Sequence, residues 1–262
     1  TQAKTLFPYT TLFRSHQFAC LSDNYGYLVH DAASGETVAI DTPDGPEYLA
    51  QAAAKGWRIS QIWNTHWHPD HAGGNEAIQQ ATGCTIVAPA GEQYPIFGVT
   101  RAVAGGDTVA LGGFTAGVID VGGHTLGHVA YHLPQQEIAF TGDALFALGC
   151  GRMFEGTAPQ FWASLTRLKA LPDATLCYCA HEYTLSNARF AVHADPENPA
   201  LAVYAAEVEA ARAAGRATVP FTLGREKATN PFLRADDAAL APRWGSDAVA
   251  AFAALREAKN AF

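Results

Sequence analysis
Through the first two thirds of the chain, apolar residues fall into short runs bounded by Gly, Pro, Asn and Asp. Runs of that length with those boundaries predict strands. Tyr25–His30 and Thr37–Ile40 read as two strands with turn residues between them. Ile59–Thr65 is a strand and its end, Thr85–Ala88 is another, and several short strands run from Asp107 to Thr141. Val129–Leu133 and Thr175–Cys179 complete the set. A helical period replaces the alternation at Pro46–Lys55, where Gly56 suits the stop, and at about Asn75–Ala81. It returns at Pro159–Ala170, where Phe161, Leu165 and Leu168 recur at spacings of four and three. After Tyr183 alanine becomes dense and strands disappear; Leu201–Ala214 and Asp247–Lys259 read as helices. The pattern predicts an α/β domain over residues 16–181 and a smaller helical domain over 182–262. Residues 1–15 show no clear period and carry no candidate ligands. They read as an extension foreign to the rest, whose removal should leave activity and melting temperature nearly unchanged.

Composition narrows the class. A chain of 262 residues suits one large domain or two modest ones, and 48% hydrophobic residues can fill a substantial core. The five cysteines (Cys20, Cys84, Cys150, Cys177, Cys179) are odd in number and irregularly spaced, which predicts reduced structural thiols and a cytoplasmic location. No run reaches the roughly 18 apolar residues of a membrane span, and no secretory leader is read. A net charge of −8 disfavours a nucleic-acid surface but leaves room for an anionic small substrate met by a local basic cluster. No membrane or nucleic-acid partner is expected, and a monomer is.

The candidate chemistry lies in His66-Trp67-His68-Pro69-Asp70-His71, where four metal-ligand side chains occur within six residues. Imidazole and carboxylate are the donors that divalent cations accept. A single helix could not gather them, since His66 and Asp70 would face away from His68 and His71 at about 3.6 residues per turn. Pro69 also disfavours helical dihedrals at His68. The motif therefore reads as a loop between a strand and a helix, able to wrap around cations. His124, Asp143 and His181 each follow an apolar run, as ligands on the rim of a sheet would. His128 and His132 flank or fall on a predicted strand and are read as non-ligands.

His-x-His-x-Asp-His resembles the signature of the metallo-β-lactamase superfamily. The resemblance implies an αββα sandwich, here followed by a small C-terminal α-helical domain. It also implies two metal sites: His66, His68 and His124 at the first; Asp70, His71 and His181 at the second; Asp143 bridging. Zinc is the expected metal, with iron or manganese acceptable to the same ligands. Further stretches resemble the glyoxalase II (hydroxyacylglutathione hydrolase) family: Leu21–Tyr25, Gly149–Thr157, Cys179–Leu185 and Asn230–Arg234. That resemblance implies a thioesterase acting on a small-molecule glutathione thioester, S-D-lactoylglutathione, in the disposal of methylglyoxal. Water activated between the cations would attack the thioester carbonyl, with Asp70 orienting it and Asp143 joining the sites. Arg152, Phe154, Tyr183, Arg256 and Lys259 match the family's substrate residues. Arg256 and Lys259 are three apart, hence on one helix face. Phe154 stands where some members carry tyrosine. Asp236 and Asp237 stand where some carry basic residues, a departure expected to weaken glutathione affinity. Arg234 fits either a binding or a structural role. A lactone or β-lactam hydrolase, a one-iron sulfur dioxygenase, a nuclease and a non-catalytic binding module are the competing readings.

Overall fold
The computed structural model describes residues 12–262. The N-terminal half contains β1 (Phe13–Cys20), β2 (Asn24–Asp31), β3 (Thr37–Ile40), α1 (Gly45–Lys55), β4 (Gln61–Trp63), α2 (Pro69–Ala72), α3 (Asn75–Thr82), β5 (Thr85–Pro89) and β6 (Arg101–Val103). The strands β1 to β6 form one sheet in chain order, antiparallel over β1–β3 and parallel over β3–β6. Next come β7 (Thr108–Leu111), β8 (Phe114–Asp120), β9 (Val129–Leu133), β10 (Ile138–Gly142), a hairpin of β11 (Leu145–Phe146) and β12 (Gly149–Cys150), α4 (Ala158–Lys169) and β13 (Leu176–Cys179). The remainder holds α5 (Thr184–Ala194), α6 (Pro199–Ala213), β14 (Phe221–Thr222), α7 (Leu223–Thr229), α8 (Ala241–Trp244) and α9 (Ala248–Ala261). The second sheet has the order β14-β13-β10-β9-β8-β7.

Alternation along the strands builds the layers. Tyr27, Val29, Val38, Ile40 and Trp63 face Val118, Tyr131, Leu133 and Phe140 of the other sheet in a shared core. Their neighbours Leu28, Ala39 and Ile62 turn the other way and pack with Tyr48 and Ala52 of α1 and Ile78 of α3. On the outer face of the second sheet, Ala130, Ala139 and Cys177 meet Phe161 and Leu165 of α4. The result is the expected αββα sandwich. α1 starts where Asp44 caps the Glu47 amide (3.1 Å) and stops at Gly56, which is left-handed (φ 70°). Every run read from the sequence as a strand or helix is found, with ends shifted by a few residues.

Two readings change, and a third gains detail. First, β1 begins at Phe13, and Phe13, Arg14 and Ser15 pair with Asp31, His30 and Val29. The Phe13 ring meets Phe114 edge-on (5.2 Å). An edge strand with one wet face carries a weak period, so a boundary at residue 16 cuts through a strand; residues 1–11 lie outside the described residues. Removing residues 1–15 is now expected to lower the melting temperature by at least about 2–4 °C, the shift that about 1 kcal/mol produces in a domain of this size. An unchanged thermal transition would restore the original expectation. Second, strands do not disappear after Tyr183: β14 joins β13 antiparallel, too short to show a period. Third, α9 packs on α4, and Phe252 and Leu255 share the core of Phe161 and Leu165. The C-terminal helical domain is thus joined to the sandwich through a shared core.

Glu226 on α7 is fully buried and accepts from the Leu148 amide (2.7 Å) and Asn230 Nδ2 (3.0 Å). Burial pushes its carboxyl up from 4.5 to about 7 despite those hydrogen bonds. The fold therefore prefers the protonated acid. The cost of its charge is absent below pH 4.5, grows between there and about pH 7, and is constant above. Glu226→Gln should raise the melting temperature at pH 8, by a free energy of up to about 3 kcal/mol. The gain should vanish near pH 4.5. Parallel melting curves across that range would contradict it.

Candidate metal centre
Strand direction gathers the ligands. β3 and β4 are parallel, and β8, β10 and β13 share one direction within the second sheet. Their C-terminal ends meet at one rim, which receives Asp41 after β3, His66–His71 after β4, His124 after β8, Asp143 after β10 and His181 after β13. The six-residue motif is only partly a loop: Pro69 opens the single-turn α2, which carries Asp70 and His71. Pro suits the first helical position because its missing N–H would have had no partner there.

The side chains of these residues converge. His68 Nδ1 lies 3.0 Å from both His66 Nε2 and His124 Nε2. Asp143 Oδ2 is 3.3 Å from His124 Nε2, while its Oδ1 is 3.5 Å from His71 Nε2 and 3.4 Å from His181 Nε2. Asp70 Oδ2 is 3.6 Å from His71 Nε2 and 3.4 Å from His181 Nε2. Three ligand groups result, each with its donor atoms within 4.8 Å of one another: His66-His68-His124, His66-His71-Asp143 and Asp70-His71-His181. His128 and His132 belong to none of them.

Outer hydrogen bonds fix which nitrogen faces inward for four of the five ligand imidazoles, all but His68. His71 Nδ1 donates to Asp41 Oδ2 (2.9 Å), His181 Nδ1 to Asp23 Oδ1 (2.8 Å) and His124 Nδ1 to the Arg152 carbonyl (2.7 Å). Thr65 Oγ1 gives its proton to Asp41 (2.9 Å) and so accepts from His66 Nδ1 (3.0 Å). The Nε2 atoms of His66, His71, His124 and His181 then face inward, toward His68 Nδ1 and the Asp70 and Asp143 carboxylates. His71 Nε2 and Asp143 Oδ1 are buried without any hydrogen-bond partner. Inward-facing imidazole nitrogens grouped around two carboxylates make an N/O donor set that suits divalent metals.

The electrostatics agree. Burial opposes ionisation of Asp143 and Asp70, but the neighbouring His71 and His181 outweigh it and hold both carboxyls well below their usual range. Burial lowers His66, His68 and His124, and adjacent imidazoles lower His66 and His68 further. It also disfavours charge on His181, yet Asp143, Asp70 and Asp23 raise it to about 11. Carboxylates that draw a proton this strongly onto an imidazole offer the same field to a metal ion.

The residues expected to bind substrate divide. Arg152 is exposed and lies over the Phe154 ring (5.5 Å). Phe154 is 60% exposed, and its ring stands 5.3 Å from that of His124, so it lines the mouth. Tyr183 stacks on His181 (4.7 Å, 2° between planes). Arg256 is not an open cation: it is buried, and its Nη1 donates to the carbonyls of Cys150 (2.8 Å) and Gly151 (3.3 Å). Lys259 is partly buried and donates to the Ser186 carbonyl (3.1 Å). Arg234 is structural, paired with Asp195 and with Asp237 (3.1 Å). Asp237 is thus spent on Arg234, and Asp236 on Lys169 (2.6 Å).

Sequence reasoning missed the supports. Asp41 ends an apolar strand run just as Asp143 does, and that signal could have found it. Asp23 sits inside a segment matched only as a motif. His128 is a support too: its Nε2 accepts from the Asp143 amide (3.0 Å), and its ring stacks on His66 (4.6 Å). Gly151 admits no side chain, since a Cβ there would lie 1.9 Å from the Asp143 carbonyl oxygen.

The chain resembles known proteins over nearly its whole length. Residues 24–181 match the family model described as metallo-β-lactamase superfamily, and residues 182–262 match that of the hydroxyacylglutathione hydrolase C-terminus. The chain is 65% identical over 248 residues to a hydroxyacylglutathione hydrolase of Erythrobacter litoralis, covering 94% of this chain and 98% of that one. It is 60% identical over 255 residues to one of Hyphomonas neptunium, covering 97% and 100%. Among solved structures, ETHE1 from Myxococcus xanthus superposes with a TM-score of 0.68 at 28% identity, covering 94% of this chain and 89% of that chain. The chain belongs to the metallo-β-lactamase superfamily and, within it, to the hydroxyacylglutathione hydrolases.

Proposed function
We propose that this chain hydrolyses S-D-lactoylglutathione and related S-2-hydroxyacylglutathiones to the hydroxy acid and glutathione, using two divalent cations. The observation that carries the reading is Asp143, whose two oxygens face His124 on one side and His71 and His181 on the other. His66, His68 and His124 would hold one cation, Asp70, His71 and His181 the other, with Asp143 shared. Bound there, the metals would lower the pKa of water from 15.7 to about 7 and polarise the thioester carbonyl. Asp70 faces both His71 and His181 from the open side and would orient the attacking water. The glutathione thiolate is a good leaving group, so no strong general acid is required.

Two cations on α9 support a glutathione carboxylate nearby. Neither Arg256 nor Lys259 makes an ion pair among the described residues, and Arg256 Nε is buried without a partner. A buried guanidinium met by carbonyls, the Cys150 sulfur and the Phe232 ring, with no carboxylate, is costly unless an anion approaches. Lys259→Ala is then expected to raise KM with little change in kcat. Arg256→Ala is a poorer probe, because it also removes the hydrogen bonds to Cys150 and Gly151. Arg152, Phe154 and Tyr183 would line the path from α9 to the cations. Zinc is the proposed metal, with iron and manganese as alternatives. A monomer in a reducing cytoplasm completes the reading, in keeping with five buried unpaired cysteines; no helix of the described residues is long and apolar enough to cross a membrane.

The deciding experiment is thiol release from S-D-lactoylglutathione, with metal content measured on the same sample. Fast release with about two metals per chain supports the reading. Full metal loading without hydrolysis overturns the substrate and moves lactone and persulfide chemistry to the front.

A further inference from the structure
Two carboxylates outside the ligand set hold together the loops that bear the first metal group. Glu92 Oε1 accepts from the Trp67 amide (3.1 Å) and from Thr125 Oγ1 (2.8 Å), and its Oε2 accepts from the Gly127 amide (3.0 Å). Glu155 Oε1 accepts from Trp67 Nε1 (2.8 Å), and its Oε2 accepts from the Leu126 amide (2.8 Å). Trp67 lies between His66 and His68, and Thr125–Gly127 directly follow His124. Each carboxylate thus ties the loop of two ligands to the loop of the third. Glu155 does so from the segment that carries Arg152 and Phe154. The loops are also close in their backbones: a Cβ on Gly127 would lie 2.3 Å from the Glu92 nitrogen.

Neither carboxylate has a basic partner among the described residues; all five hydrogen bonds come from amides, a hydroxyl and an indole. Burial raises the Glu92 carboxyl, and the Glu155 charge adds to the rise. Two uncompensated like charges are an expensive way to fasten loops that neutral side chains could fasten. The expense has a use if a cation sits beside them, and His66, His68 and His124 bring no charge of their own to offset one.

We propose that Glu92 and Glu155 are positioning residues for the His66-His68-His124 group, clamping its two loops at the spacing a cation needs and lending it negative charge. The inference rests on the two-cation reading above. It predicts an asymmetry, because neither carboxylate hydrogen-bonds a residue adjoining Asp70 or His181. The experiment is chelator competition on the full zinc-loaded chain, with parent, Glu92→Gln and Glu155→Gln compared, and cobalt spectra recorded to identify which group has emptied. Each variant should bind one cation roughly 10-fold or more weakly, the His66-His68-His124 one, and hold the other as the parent does. Both cations held at parent affinity, or both weakened in parallel, overturns the proposal. Glu155→Gln decides alone if Glu92→Gln is not recovered folded. A parent that binds one cation fails the two-cation reading, and the clamp is then judged by whether the variants weaken that one.

Discussion
Asp143→Asn is expected to lower thioester hydrolysis by roughly 10²-fold or more and to leave one of two cations weakly held. Changes to groups that merely support metal ligands already cost about 10- to 100-fold, and Asp143 faces the ligands directly. Its side chain is buried beneath both histidine sets, 3.3–3.5 Å from His71, His124 and His181. The carboxylate offers an acceptor to each side. An amide offers one acceptor and one NH2, so whichever side receives the NH2 loses its shared oxygen. The negative charge that both cations would share disappears with it. Steric effects should be small, because the amide is nearly isosteric and the main-chain bond from Asp143 N–H to His128 is untouched. The variant should therefore fold, which makes its metal content and its turnover informative together. Parent-like turnover with both metals bound would remove Asp143 from the centre of the mechanism.

How much of this site could be read from the chain follows from where the information lies. His66, His68, Asp70 and His71 are local in sequence, and their chemistry is unusual enough to stand out. His124, Asp143 and His181 were implied by the family resemblance, and the apolar runs before them agree with it: strands of common direction bring their ends to one rim. Alternation assigns Tyr27 and Leu28 to opposite faces, but the αββα layering itself was implied by the family resemblance, because strand period alone does not say which sheets stack. What hid was whatever depends on a partner distant in sequence. Glu226 looks like a surface acid on a short helix until the fold lays Leu148 and Asn230 against it. Arg256 looks like an exposed helix cation until the Cys150 and Gly151 carbonyls close over it. Phe13 failed as a strand start because its pairing with Asp31 and its contact with Phe114 are both non-local.

Asp41 is the hidden residue with the largest expected consequence. It sits just past β3 in a left-handed conformation (φ 51°) and is buried. It accepts from the Thr65 amide (2.7 Å), from Thr65 Oγ1 (2.9 Å) and from His71 Nδ1 (2.9 Å). Two carboxylate oxygens thus anchor the start of the ligand loop and set the tautomer of His71. In Asp41→Asn the amide oxygen can keep the Thr65 amide, and asparagine tolerates the backbone conformation. The amide NH2 then faces His71 Nδ1, donor against donor. His71 can answer only by moving its proton to Nε2, the nitrogen that points at Asp70 and Asp143. A protonated Nε2 cannot ligate. The Asp70-His71-His181 cation should accordingly bind about 10- to 100-fold more weakly, with the His66-His68-His124 cation much less affected. That is the mirror image of the Glu92 and Glu155 variants, so the same chelator titration reads both. Asp41→Ala should do more, leaving Thr65 and His71 donors without partners at about 1–3 kcal/mol for each buried group. The melting temperature then separates the two effects: near the parent value in Asp41→Asn, clearly lower in Asp41→Ala. Parent-like metal affinity in Asp41→Asn would mean that the orientation of His71 is set by the metal and not by the fold.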